Sequence, residues 1–408
     1  IEDAGLVIRE RLGRDVRHHL LEPIRQHVAQ HLDDEQRASA AHRHALRFAA
    51  LANEVKAGAV GPEFGRWADI VERDLANFRE AHRLLLDLGD VEAAVAIVDG
   101  LALVGAQRGL MEMADWCDLT VAITEGRGDR LEVAALAAAA PFWYYLNRVE
   151  DTIAIAARAA DLPGDPDHHV VIEEQAVRAT LDPTAWALAA SRIRASLTRY
   201  DPACETWAGA YSTLYLVLLD DLDAADVAPI EARLGSSLYS AAFEFYRAIP
   251  HYLRDEDRIA AHIADQSVAL ARSAGAVYQL ANSLMGAGGW KARLGEATID
   301  EVFAPLLESL ELWERLRIPW GRFPIVEEIA QSLAIRGRPE AAFVLWGALD
   351  ASRIQAPSKV GRGRRTDAFL ADVRAEDAAT WMSQGAAMTF DQAVAYARRA
   401  VAAVLIAA

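Results

Sequence analysis

The first residues in this chain whose spacing could do chemistry are His27 and His31, one helical turn apart. Such a pair can hold a metal ion when a third ligand arrives, and His18, His19, His42 and His44 are close by in sequence. No ligand triad is specified, so a polar helix face in a histidine-rich stretch is the plainer reading. His168-His169, after Asp165 and Asp167, reads the same way. No metal ligand is assigned.

Aromatic residues are the second candidate. Trp143, Tyr144, Tyr145, Trp207, Tyr211, Tyr215, Phe243, Phe245, Tyr246, Tyr252 and Trp290 crowd the middle of the chain. On successive helices of a repeat array, such side chains can line an inner groove and grip a peptide or a small ligand. Trp143, Tyr144, Trp207, Tyr211, Tyr215, Tyr246 and Trp290 are the candidate groove residues. The competing account is packing between repeats, which takes most large apolar side chains of a solenoid.

The basic run Ser358 to Arg365, SKVGRGRR, could meet phosphate or an acidic partner, but a short isolated run in an acidic chain reads first as a solvated loop. Enzyme signatures are missing. No Walker-type phosphate loop, Gly-x-Gly-x-x-Gly turn, nucleophile elbow or paired-histidine zinc helix occurs. No catalytic residue is assigned. An unfamiliar site built from the central aromatic and histidine residues would centre on His251 or Tyr246.

The elements that must position these residues are helices. At 408 residues, with 53% hydrophobic residues of which many are alanine, the chain favours close helix packing. It is long for one compact core, whereas a solenoid grows by neighbour contacts alone. A net charge of −17 argues against nucleic acid as a partner. Cys117 and Cys204 form no metal motif or disulfide framework, and no apolar run is long enough to span a membrane. A cytoplasmic location is expected. The start at Ile1 reads as a piece of a longer polypeptide.

Leu6 to Ile8 and Val16 to Leu21 flank a Gly13-Arg14-Asp15 turn and predict a β-hairpin. Glu22-Pro23 opens a helix with Ile24, Val28 and Leu32 at fourfold spacing. A second helix, about Glu35 to Lys56, carries Ala41, Ala45, Phe48, Leu51 and Val55 on one side. Trp67 to Asp90 is the clearest amphipathic stretch, with Ile70, Leu75, Phe78, Leu84, Leu85 and Leu88 on its apolar face. Gly89-Asp90 breaks it, and a second arm runs from Val91 to about Ala106. Met111 to Thr124 predicts a further helix. Leu131 to Leu146 and Thr152 to Leu162 then form a helical hairpin of the tetratricopeptide order, in which Pro141 should kink the first arm or mark its start. Two helices are expected between His168 and Tyr200, and another opens at Asp201-Pro202. Leu270 to Gly275 and Leu312 to Arg317 repeat at about forty residues, within the range of helical repeats. Two closing helices follow the basic loop.

Three passages together resemble one family. Leu20 to Gln26 looks like the boundary where a winged helix passes into its next helix. Trp67, Glu72 and Asp74 to Ala81 look like the tryptophan–glutamate–asparagine–arginine helix that opens a repeat region. Ala341 to Ala348, with Met388 to Val394, looks like a closing repeat and last helix. The family is the STAND-type signalling ATPases of bacteria, which include LuxR-type and SARP-type regulators and the ATPases attached to adenylyl cyclases.

The resemblance implies an all-α superhelix of tetratricopeptide-like (TPR-like) hairpins with a β-hairpin remnant of a winged helix. Residues 1–34 would end the winged helix, 35–350 would form the superhelix, and 351–408 would supply the basic loop and closing helices. It further implies a non-catalytic sensor in which a protein partner or small-molecule inducer occupies the groove and controls an upstream nucleotide switch in cis. ATP and Mg would belong to that upstream domain, with no cofactor in this segment. If Ala408 is the natural end, an N-terminal output such as a cyclase or SARP domain is expected over a LuxR-type one. The alternative is a free-standing TPR-like scaffold for protein partners.

Overall fold

The computed structural model describes residues 7–12, 15–179, 187, 237–352 and 367–407. Among these the chain is α-helical apart from one β-hairpin. Strands β1 (Val7–Leu12) and β2 (Asp15–Leu20) pair antiparallel, with Val7 opposite Leu20 and Leu12 opposite Asp15. The predicted hairpin is therefore present and β1 runs further than expected; Gly13 and Arg14 lie outside the described residues. Helix α1 (Glu22–His31) follows with Pro23 in its first turn, where no amide donor is needed. Ile8, Leu21 and Val28 stay exposed on this end.

Helix α2 (Asp34–Ala59) starts at a capping box in which Asp33 and Gln36 satisfy each other's backbone amides. Its buried stripe is Ala45, Ala49, Ala52, Val55 and Ala59. Phe48 and Leu51 are only half-buried and Ala41 is exposed, so small residues form the contact face. Helix α3 (Phe64–Leu88) buries Phe64, Ala68, Val71, Asp74, Phe78, Ala81, His82 and Leu85, a face recurring every three or four residues. Leu88, expected on that face, is exposed, while Asp74 and His82 lie inside it.

Gly89 ends α3 in the left-handed conformation at φ 71°, which a residue without Cβ adopts at little cost. The next helix, α4 (Val91–Arg108), is capped by the Asp90 side chain on the Ala93 amide. Arg108 in its last turn reaches back to Glu72 (3.0 Å) and Asp69 (3.2 Å) of α3, tying the hairpin at its open end. Helices α5 (Met113–Thr124), α6 (Arg130–Tyr145), α7 (Val149–Ala159) and α8 (Pro166–Ala179) continue the pattern. Pro141 does not mark the start of α6, one of its two expected roles, and does not end it. The helix runs through it, and Pro141 has no N–H for the Ala137 carbonyl one turn back.

The second half holds α9 (Ser237–Leu253), α10 (Asp257–Ala274), α11 (Val277–Lys291), α12 (Ile299–Leu316), α13 (Arg322–Ile335) and α14 (Pro339–Ala351). The repeat seen in the sequence has a structural counterpart. Gly275 after α10 and Arg317 after α12 both take left-handed backbone, at φ 67° and 56°. A short α15 (Asp367–Leu370) precedes α16 (Ala375–Ala386) and α17 (Phe390–Ala407). Helices α14 and α16 meet backbone to backbone. A methyl on Gly347 would collide with the Met382 carbonyl, and one on Gly385 with the Val344 carbonyl.

Consecutive helices pack on each other, and the two halves also touch. Ala106, Tyr144 and Tyr145 of the first half belong to the same apolar cluster as Tyr278, Trp313 and Trp320 of the second. The Trp320 indole donates to the Tyr144 carbonyl (3.1 Å), and the Gln279 amide to Gln107 Oε1 (3.3 Å). Among the described residues, no helix is long and apolar enough to cross a membrane.

Candidate functional site

The site is a partly open pocket with a cavity volume of about 200 Å³, formed where α4, α6 and α8 converge and bordered by Tyr239 of α9 and Tyr278 of α11. Each of the three helices offers one stripe. From α4 come Asp99, Ala102, Leu103, Ala106 and Gln107. From α6 come Ala137, Ala138, Pro141 and Tyr145, one turn apart. From α8 come His168, Val170, Val171, Glu174, Gln175 and Arg178, again at spacings of three and four. Alanine is what makes the space. Small side chains on α4 and α6 leave a void that leucines would fill.

Polar groups stand at two ends of this apolar interior. At one end Lys56 of α2 donates to Asp99 (2.8 Å), and His168 Nε2 lies 2.9 Å from the other Asp99 oxygen and 2.9 Å from the Lys56 ammonium. Burial pushes the Asp99 carboxyl up, but the hydrogen bonds and charges of His168 and Lys56 outweigh it and hold the group below the usual range. The same three residues border a second, more polar cavity of about 380 Å³, which also meets Glu92 and Arg130.

At the other end Arg178 pairs with the fully buried Glu174 (3.2 Å) and donates to the Tyr278 hydroxyl (3.0 Å). Its guanidinium lies over the Tyr144 ring, 4.7 Å from the centroid. Gln175 donates to Glu174 (2.7 Å), which fixes the amide's orientation because a carboxylate only accepts. Gln175 Oε1 is then left buried without a partner, and so is His168 Nδ1.

Of the candidate groove residues, the described ones (Trp143, Tyr144, Tyr246 and Trp290) do not line this pocket. Trp143 is buried against α5, its indole donating to Asp118 (2.6 Å) under the Arg148 guanidinium, which also binds Asp118 (2.7 Å). Tyr144 packs edge-on to Trp320 and reaches the site only through Arg178. Trp290 is stacked between Phe245 and Tyr252, and Tyr246 is buried beside Phe245. Trp207, Tyr211 and Tyr215 lie outside the described residues, as does the basic loop Ser358 to Arg365. Tyr145 and Tyr278, stacked at 5.0 Å, are the aromatic pair on the cavity wall. Burial raises the Tyr145 phenol well above its ordinary range and keeps it neutral.

The histidines divide. His27 and His31 face each other on exposed α1, and His31 Nδ1 bonds the His27 carbonyl (2.8 Å). Among the described residues no group of three or more His, Cys, Asp or Glu could hold a metal ion. His251 Nδ1 pairs with Glu256 (2.5 Å) at the end of α9. His168, paired with His169 in the sequence, is the one that reaches the cavity. Sequence reasoning passed over Asp99, Gln107 and Gln175. The available signal was an aspartate and a glutamine inside VEAAVAIVDGLALVGAQR, a helix otherwise apolar nearly all round.

No protein-family model matches the chain, and no curated protein matches it.

Proposed function

We propose that this chain is a non-catalytic, ligand-sensing helical-repeat module, a TPR-like superhelix of the kind that STAND-type signalling ATPases carry downstream of their nucleotide switch. One observation carries the sensing part of the reading. The pocket between α4, α6 and α8 is apolar in its middle, polar at two ends, and bordered by Tyr278 from the other half of the chain. A concave, mostly apolar space with a few convergent polar groups is the usual form of a small-molecule site. Because Tyr278 and Arg178 join the two halves across this cavity, a ligand there bears on how the halves sit together. A ligand shifts such an arrangement only as far as it binds the two states differently.

Two further features support placing the module in a larger signalling protein. The β-hairpin passes into a proline-started helix, as the resemblance to a winged-helix boundary requires, and its end exposes Ile8, Leu21 and Val28 as a surface for a neighbouring domain. ATP and Mg belong to that upstream domain, and a cytoplasmic setting follows from the same reading.

The test is a thermal-shift screen of small neutral and charged molecules against the purified chain, repeated on Ala102→Phe, which fills the cavity. Stabilisation of the parent chain that disappears in the variant supports the reading. Turnover of ATP by the chain itself would sink it, and stabilisation that survives in Ala102→Phe would move the site elsewhere. Binding of protein partners alone, with no small molecule, would leave the scaffold alternative.

A further inference from the structure

Helix α11 opens without a cap of its own. Its N-cap residue is Ala276, whose methyl can accept no hydrogen bond. The missing acceptor comes from the other half of the chain, where Gln107 stands in the last turn of α4. The Gln279 amide, in the first turn of α11, donates to Gln107 Oε1 (3.3 Å). A backbone N–H only donates, so this bond holds the oxygen of the side-chain amide toward α11 and turns its NH2 group the other way.

That NH2 group faces the pocket. Gln107 is 3% exposed and borders the space between α4, α6 and α8. Its Nε2 makes no hydrogen bond among the described residues and is not sealed in the wall. The Tyr145 hydroxyl, on a side chain 4% exposed, is likewise unpartnered among them and open to the same space. Both groups border the start of α11: Gln107 binds the Gln279 amide, and Tyr145 stacks on Tyr278 at 5.0 Å. Asp99, with Lys56 and His168, stands roughly 12 Å back along α4. Nε2 can only donate, and the phenol, kept neutral by burial, has a proton to give. Unmet donors beside an apolar space favour a ligand that brings an oxygen to them.

Building on the sensor reading above, we infer that the pocket takes a molecule with a compact apolar body and a carbonyl oxygen that accepts from Gln107 Nε2 and the Tyr145 hydroxyl. The body lies along Ala102, Leu103, Ala138 and Val171. The side-chain amide that reads the carbonyl is the same one that caps α11, so a single group joins the ligand to a helix of the other half.

Calorimetric titration of the full chain at pH 7 with three probes of one shape tests this. Acetophenone carries the carbonyl, α-methylstyrene has CH2 in place of its oxygen, and benzamidinium offers donors only. The first two differ in hydrophobicity, so the quantity read is their affinity ratio in the parent chain against the ratio in two variants. Tyr145→Phe keeps the ring stack and removes the hydroxyl, and Gln107→Met keeps the length and removes the amide. Each should lower the preference for acetophenone over α-methylstyrene about fivefold, the worth of one hydrogen bond. A ratio unchanged in both variants overturns the carbonyl assignment and leaves Gln107 to a bound water. Benzamidinium binding tighter than acetophenone overturns the acceptor class and leaves the sensor reading standing. If none of the three binds, the proposal falls, and a screen hit lost in Ala102→Phe would show that the sensor reading does not fall with it. Should Gln107→Met fail to fold for want of the α11 cap, Tyr145→Phe and the infrared band of acetophenone bound to the parent chain decide. The carbonyl stretch lies below its value in an alkane solvent if the hydrogen bonds form, and at that value if they do not.

Discussion

His82 gives the structure a built-in acid sensitivity whose size can be worked out. The side chain is 2% exposed on the inner face of α3, stacked on Trp116 at 5.8 Å. Its Nε2 lies 2.7 Å from Thr120 Oγ1, and the Thr120 hydroxyl proton is committed to the Trp116 carbonyl (2.9 Å). Nε2–H must therefore be the donor, and the imidazole is held neutral. Burial lowers its pKa from 6.5 to about 4. Between these values the unfolded chain binds the proton and the folded chain does not, so acid favours unfolding. The His82 contribution is intact above pH 6.5, erodes as pH falls, and levels off below about 4. The whole loss is about 3 kcal/mol, and about 2 kcal/mol of it is reached at pH 5. His82→Gln keeps an N–H for Thr120 and cannot titrate. Urea unfolding followed by circular dichroism at pH 7 and pH 5 should show the parent chain losing about 2 kcal/mol more than the variant. Equal losses in the two proteins would refute the reasoning.

Other predictions test packing and caps. Gly347→Ala pushes α14 from α16 and should cost about 1–3 kcal/mol, read as a lower unfolding midpoint. Thr298→Ala removes the capping box of α12, in which Thr298 and Glu301 exchange hydrogen bonds, and should cost about 1 kcal/mol by the same assay. Asp118→Ala leaves the Trp143 indole and Arg148 without their shared acceptor. A loss of about 1–3 kcal/mol is expected, with a change in tryptophan fluorescence.

The helices were legible because their ends carry local signals. Gly89, Asp90, Gly275 and the Glu22-Pro23 start each fix a boundary through backbone physics that needs no tertiary partner. Which face of a helix turned inward was less legible. In α2 the eye goes to Phe48 and Leu51, yet alanines make the contact, because close approach of α2 and α4 rewards small residues; a methyl on Gly100 would strike the Ala52 carbonyl. At Pro141 a helix start was one of two readings, and α6 instead runs through it.

The candidate site was barely legible. The sequence draws attention to tryptophans and tyrosines, and those that are described are absorbed by packing with Trp320, Phe245 and Tyr252. The cavity is instead made by what is small, and its polar groups come from three helices far apart in sequence. Lys56, Asp99 and His168 meet only after folding, and no local spacing announces them.

The measurement that bears most directly on the central claim is backbone hydrogen exchange of the chain with and without a saturating small molecule that stabilises it in the thermal-shift screen. A ligand in the proposed cavity slows exchange across 99–107 of α4, 137–145 of α6 and 168–178 of α8, and leaves α16 and α17 unchanged. Protection confined to other helices, or none at concentrations that raise the unfolding midpoint, would contradict the account.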